Sequence, residues 1–360
     1  QQAEDVENVL DQAERTLFNV SQKFMKHAFA PIRDVLTDAF DRIDELHREK
    51  GKLRGTPTGY ADLDSLLGGV QKSDLVIIAA RPSCGKTAFV LDIARHAAVK
   101  HRVPVGMFSL EMSKEQLVDR MICAEANVDL LKMRTGKLND SGRDDDFPRI
   151  GHALGILSEA PIYIDDSASA NIMEVRTKAR RLQMEHGLGM LIIDYLQLME
   201  SRGEGSSDNR TQEIAEITRG LKSIARELNI PVIALSQLSR SVELQKPAIP
   251  RLAHLRESGS IEQDADVVMF IYRKAADKNY RTEDLSPEEQ HLAEIHIAKH
   301  RNGPTGVVKL FFDAARASFR NLQKHDMGGV PPALRGPAIS TGGPLPPAGS
   351  PPMINSGQPF

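Results

Sequence analysis

The chain of 360 residues contains no Trp, and aromatic residues make up only 5% of it. That scarcity argues against a surface that holds single strands mainly by stacking bases on rings. Cys84 and Cys123 are the only cysteines, which leaves no disulfide framework and no zinc-ligand spacing. No apolar run is long enough to span a bilayer, and the start does not read as a signal peptide. A reducing, cytoplasmic compartment is therefore expected, with no membrane partner. The net charge is only -3, so there is no global basic footprint, and any contact with nucleic acid must be local, on loops. The first residue is Gln1 rather than Met, as expected of a processed chain or a fragment.

Hydrophobic residues make up 41% and charged residues 26%, enough for a sizeable core in one large or two ordinary domains. The chain opens with Val6, Val9, Leu10, Ala13, Leu17, Val20 and Phe24 at helical spacing. This amphipathic stretch needs a surface to cover, on its own domain or on a neighbouring subunit. Pro31 restarts a second helix, with Ile32, Val35, Leu36, Phe40, Ile43 and Leu46 on one side. Gly51, Gly55, Pro57 and Gly59 mark a break. Short apolar strands are then predicted at 75–79, 103–109, 161–165, 190–194, 231–236, 266–272, 293–299 and 306–312, with helical stretches between the first five. Continuous apolar strands separated by helices predict a mostly parallel sheet buried on both faces, with the last strands as antiparallel edge pairs. From about residue 326 the chain is rich in Pro, Gly and Ser, a composition that predicts disorder.

The strongest local signal is ARPSCGKT at 80–87, between the first strand and a helical run. Backbone N–H groups at 83–88 (Ser83, Cys84, Gly85, Lys86, Thr87, Ala88) with the positive end of the following helix form an anion cradle. Lys86 would reach the β- and γ-phosphates of ATP, and the Thr87 hydroxyl would ligate Mg²⁺. The usual pattern opens with Gly, here Ala80, which is tolerated if that position needs no positive φ. Cys84 reads as a small residue at a tight bend. A helix N-terminus also lowers thiol pKa, so a thiol alkylator is expected to inhibit ATPase activity.

Three further residues follow strands, at the carboxyl ends where such groups collect. Glu111, in SLEMS, suits a water-activating base. Asp194, in LIIDYLQ, suits Mg²⁺ binding through water. Gln237, in ALSQLSR, can hydrogen-bond the γ-phosphate and report its loss. Each alone is also an ordinary polar residue at a strand end. Lys299 and Arg301, in AKHRNGPTG, read either as a solvated hairpin tip or as cations reaching a neighbour's nucleotide site.

In order, ARPSCGKTAF, SLEMS, LIIDYLQLM, ALSQLSR, LRESGSIEQDADVV and KHRNGPTG resemble the motif set of the bacterial DnaB-type replicative helicases, over about residues 4–322. The LRESGSIEQDADVV run is the most specific piece. The resemblance implies a RecA-like P-loop NTPase of α/β class, with a central mostly parallel sheet flanked by helices and preceded by an amphipathic linker helix. It implies a homo-hexameric ring with ATP sites at subunit boundaries and 5′-to-3′ movement on single-stranded DNA. Lys299 and Arg301 then become the cations supplied by a neighbour. The implied organisation is a linker region at 1–30, whose residues 4–27 match the family linker, an ATPase domain at 31–325 and a tail at 326–360. The family's N-terminal collar, which binds primase, is absent from the sequence. A helicase loader and a clamp-loader subunit are further partners implied by the resemblance.

Two loops are expected to face DNA. One is 201–210, and the other, 240–260, carries Arg240, Lys246, Arg251, Arg256 and Gly259. The charge of the second is diluted by Glu243 and Glu257. By the resemblance, Arg256, Glu257 and Gly259 lie against the DNA backbone, and Arg240 and Arg251 add charge. His254 stands where the family commonly has an acidic residue. Two other readings share the phosphate loop. A RecA-type DNA-dependent ATPase would remodel strands as open filaments without unwinding, and a nucleotide-switched scaffold would show no DNA stimulation.

Overall fold

The computed structural model describes residues 31–48, 53–142, 145–200 and 210–322. The first predicted helix, the loop 201–209 and the tail beyond 322 lie outside the described residues.

Nine strands form one sheet in the order β3-β2-β4-β5-β1-β6-β7-β8-β9. β1 (Leu75–Ala80), β2 (Val105–Ser109), β3 (Ile162–Asp165), β4 (Met190–Asp194), β5 (Val232–Gln237) and β6 (Val267–Tyr272) run parallel. β7 (Leu292–His300), β8 (Gly306–Asp313) and β9 (Ser318–Asn321) extend the sheet antiparallel from β6. All six residues of β1 are buried, as a central strand covered on both faces requires. One apolar cluster packs on each face. The first is built around Ile78, Phe89, Ile93 and Ile295, the second around Ile77, Ile193, Leu221 and Phe270.

The strand limits follow from backbone chemistry. Pro104 and Pro161 lack an N–H, and β2 and β3 each start on the residue after the proline rather than at 103 and 161. The Pro104 carbonyl instead accepts from Gly189 N–H at 2.8 Å. The sequence pattern does not predict β9, which is only four residues long. It is held by Asp92, a buried carboxylate of the helix α3 (Lys86–His101), which accepts from Phe319 N–H at 2.7 Å and from Ser318 Oγ at 3.0 Å.

The remaining helices are α1 (Ile32–Arg48), α2 (Ala61–Leu67), α4 (Lys114–Ala126), α5 (Leu130–Thr135), α6 (Asp146–Ser158), α7 (Ile172–His186), α8 (Arg210–Leu228), α9 (Gly259–Asp264) and α10 (Pro287–His291). α1 presents Ile32, Leu36, Phe40 and Ile43 to solvent, with Phe40 71% exposed. That face forms an apolar stripe left uncovered by the other described residues.

Candidate nucleotide site

The segment 81–85 turns the chain from the buried end of β1 into α3. Ala80 is the last strand residue and is not among the positive-φ positions, so its lack of glycine freedom costs nothing. The left-handed backbone falls on Ser83 (φ 66) and Gly85 (φ 95). A Cβ at Gly85 would stand 3.0 Å from the Phe319 ring and 3.1 Å from Phe312, so β8 and β9 close the underside of the loop. The first turn of α3 has no acidic residue and no side-chain cap, which leaves its positive end open toward an anion.

Lys86 begins α3. Burial pulls its pKa down, while Asp194 and Glu111 pull it back up, and its ammonium sits 4.1 Å from the centre of the Tyr195 ring. Thr87 Oγ1 donates to Asp194 Oδ2 at 2.7 Å. Asp194 ends β4 with no exposed surface, and its Oδ1 is buried without a hydrogen-bond partner. Burial therefore raises its pKa, offset in part by the Thr87 hydroxyl and Lys86. An orphaned carboxylate oxygen beside a threonine hydroxyl at the mouth of an anion cradle fits a hard divalent cation such as Mg²⁺. Glu111 lies exposed just past β2, whose neighbour β4 sets the register Ser109↔Asp194. Gln237 ends β5 opposite Ala80, and its N–H donates to Gln197 Oε1 at 3.1 Å. Lys86, Thr87, Glu111, Asp194 and Gln237 thus gather around one loop.

Cys84 corrects one expectation. The thiol is 7% exposed, and burial raises its pKa despite the helix N-terminus and the nearby Arg273 and Arg81. Desolvation of the thiolate outweighs the dipole. Cys84 is thus a small residue packed at the bend, and its thiol is less acidic than the helix N-terminus alone would make it.

Three arginines enter the site: Arg120 and Arg273, which lie in no sequence motif, and Arg81, whose contacts the ARPSCGKT motif does not announce. Arg120, on α4, is half-buried and close enough to Asp194 and Glu111 for both to oppose the lowering of its pKa by burial. Arg273 follows β6, donates to the Ser83 carbonyl at 3.4 Å and lies 3.6 Å over the Phe312 ring. Arg81 donates from Nη1 to the Leu238 carbonyl at 2.6 Å and from Nε to Glu243 at 2.8 Å. Glu243 lies in the 3-10 turn Arg240–Leu244, so the phosphate loop is tied directly to the start of the 240–260 loop. No motif spacing announces these contacts, which arise from strand order.

Lys299 and Arg301 are not at this site. β7 runs antiparallel to β6 with Val267↔His300, which places both cations at the amino end of the parallel strands, opposite the phosphate loop. Arg301 donates from its backbone to the Asp266 carbonyl at 2.8 Å and from Nη1 to Asp266 Oδ1 at 3.1 Å. Asp266 is itself buried, ion-paired with Lys222, and accepts from Leu75 N–H at 2.8 Å. Lys299 donates to the carbonyls of Glu262 and Gln263 at the end of α9.

The match to the family model for the DnaB-like helicase C-terminal domain spans residues 55–321. This chain belongs to the DnaB-like helicase C-terminal domain family. Among curated relatives, the replicative DNA helicase DnaC of Bacillus subtilis is 50% identical over 330 residues, covering 91% of this chain and 70% of that protein. The replicative DNA helicase DnaB of Geobacillus stearothermophilus is 48% identical over 330 residues, with the same coverage of 91% and 70%. Among solved structures, an ATPase domain has a TM-score of 0.74 at 36% identity, covering 82% of this chain and 100% of that one. A DnaB-like replicative helicase described with its interactions with primase has a TM-score of 0.71 at 34% identity, covering 88% and 74%.

In this DnaB-like chain the second predicted DNA loop is two 3-10 segments, Arg240–Leu244 and Leu252–Ser258, leading into α9. Arg240 and Arg251 are exposed. Arg256 and Glu257 fall in the second 3-10 segment, and Gly259 opens α9; their side chains lie outside the described residues. His254 is buried, accepts from Arg251 N–H on Nδ1 at 2.9 Å and meets Gln245 at 3.1 Å. Burial and Arg251 lower its pKa, as suits a neutral ring that fixes the loop.

Proposed function

We propose that this chain is the ATP-driven motor of a replicative DNA helicase, working as a homo-hexamer that moves 5′-to-3′ on single-stranded DNA and separates the duplex ahead of it. The observation that carries the reading is the split placement of the charged groups. Lys86, Thr87, Glu111, Asp194 and Gln237 meet at the phosphate loop, while Lys299 and Arg301 sit at the other end of the sheet. β1 alone spans six residues, roughly 20 Å, so the hairpin cations serve a neighbour's site rather than their own.

The residues divide the work as follows. The N–H groups of 83–88 and Lys86 hold the β- and γ-phosphates of ATP. Thr87 and Asp194 would hold Mg²⁺, which supplies charge neutralisation across the β- and γ-phosphates when bound. Glu111 accepts a proton from the water that attacks the γ-phosphorus. Arg301 and Lys299 of a neighbouring copy stabilise the charge that develops as ADP leaves. Gln237 senses the γ-phosphate, and the Arg81–Glu243 tie carries the change to the 240–260 loop. There Arg240, Arg251, Arg256, Glu257 and Gly259 follow the DNA backbone, giving grip without sequence readout.

The linker at 1–30 docks on an adjacent copy, the exposed face of α1 at the start of the ATPase domain 31–325 fits the same boundary, and the tail at 326–360 follows. A cytoplasmic location, primase bound through an N-terminal collar, a helicase loader and a clamp-loader subunit complete the reading. Among the described residues, no helix is long and apolar enough to cross a membrane.

The test is subunit mixing on a forked duplex. Lys86→Ala and Arg301→Ala should each abolish ATP-dependent unwinding, the latter lowering ATPase turnover about 10³-fold or more. In an equal mixture, about a quarter of heterologous boundaries pair an intact Lys86 with an intact Arg301, and ATPase activity should recover to that fraction. No recovery would refute action across the boundary. Recovered ATPase without strand separation by the unsubstituted chain would favour a strand-remodelling ATPase.

A further inference from the structure

A cavity of about 470 Å³ opens on the face of the antiparallel extension away from the phosphate loop's helix α3. Its wall is aromatic: Tyr272, Tyr280, Phe311 and His291 line it with Pro247. His291 stacks on Phe311 with ring centres 4.9 Å apart. None of these rings has a part in the hydrolytic site. The cavity is large enough for several side chains, and Leu322, the last described residue, lies on its rim.

The chain that continues from this rim is proline-rich. About nine residues beyond Leu322 it reads Val330-Pro331-Pro332-Ala333-Leu334-Arg335. Proline segments adopt an extended left-handed helix with little entropy left to lose, and aromatic-lined grooves are the surfaces that recognise them. A tether of that length reaches up to about 30 Å, enough to fold back onto the cavity from its own edge. It also holds the segment at an effective concentration of about millimolar, so weak contacts suffice for occupancy. The charges agree. Arg335 follows the prolines, and Glu288, exposed at the cavity, has no ion pair among the described residues.

We propose that this aromatic cavity is the docking site for the chain's own segment 330–335, with the prolines against Tyr280 and His291 and Arg335 toward Glu288. The cavity is then occupied from within, and any protein ligand with a proline-rich segment must displace the tail to use it.

Because the chain has no Trp, a single introduced one reports without background. Leu334→Trp in the full chain should emit at shorter wavelength and be quenched by acrylamide more slowly than the same substitution in a free peptide of residues 326–340. Adding Tyr280→Ala should abolish the shielding. So should Pro331→Gly with Pro332→Gly, which leaves the folded domain untouched. The unsubstituted peptide at about millimolar concentration should expose the Trp in competition. Solvent-like emission that no variant changes would overturn the proposal. Shielding that survives both sets of substitutions would place the tail on another surface and overturn it equally. Release of the Trp by ATP but not by the peptide would assign the cavity to nucleotide instead.

Discussion

Asp194 keeps one carboxylate oxygen buried and unpartnered while the other accepts from Thr87. Its pKa is raised by burial, so holding it ionised at neutral pH opposes folding. The sign follows: a carboxyl whose folded pKa is raised favours the fold below its unfolded pKa, and that advantage is lost as pH rises through the folded pKa. Asp194→Asn removes the buried charge and should raise the melting temperature of the metal-free chain by about 2 °C. The same change should lower Mg²⁺-dependent ATPase activity by about two orders of magnitude or more, since several kcal/mol of charge stabilisation go with the metal. Thermal denaturation and turnover of one preparation check both, and a fall in melting temperature would mean that Thr87 and Lys86 more than offset the burial. At this scale the site was legible where a motif fixes a residue's place at a strand end or helix start, as for Lys86, Thr87 and Asp194, whose side chains the fold brings together. It was not legible where environment decides. Cys84 sits at a helix N-terminus in sequence but against packed side chains in space, and Arg120 and Arg273 enter only through tertiary contact.

Among the elements, the tie between the phosphate loop and the 3-10 turn Arg240–Leu244 would give nucleotide state a mechanical route to the proposed DNA loop. Arg81 contacts both the Leu238 carbonyl and Glu243, and Lys278 approaches Glu243 at 2.9 Å from outside. Glu243→Gln should leave ATPase activity without DNA near its original value and reduce its stimulation by single-stranded DNA severalfold. The stability cost should be about 1 kcal/mol or less, as for other partly exposed ion pairs. Comparing turnover with and without oligonucleotide separates coupling from damage, since equal loss in both conditions would mean that Glu243 merely supports the loop. The strands were legible because continuous apolar runs between helices have few other solutions. Their ends were set by Pro104 and Pro161, and β9 escaped because four residues carry too little pattern, its place being fixed by Asp92 from another element.

For the whole molecule, the apolar face of α1 is a cost that the isolated chain carries and the proposed assembly would remove. Phe40→Asp should leave the melting temperature of the monomer nearly unchanged, because the ring is already 71% exposed. Burying a phenylalanine contributes about 1.5–3 kcal/mol, so each boundary should weaken roughly 10- to 100-fold. Sedimentation at several concentrations should show the shift to smaller species, and an unchanged distribution would remove α1 from the interface. Sequence periodicity had α1 as an amphipathic helix but could not tell which apolar stripes the domain itself covers, because that depends on where the chain turns after it.

The phosphate loop and the cation hairpin stand at opposite ends of one sheet. On the proposed function the chain has a direction, like a link with a hook and an eye, and an isolated copy would own half of two different active sites. In any open row one hook and one eye are idle, and only closure gives as many complete sites as chains. Turnover per chain should climb with concentration and level off where rings close. Anything that opens a single seam costs one site outright, so controlling closure is also a way of controlling the rate.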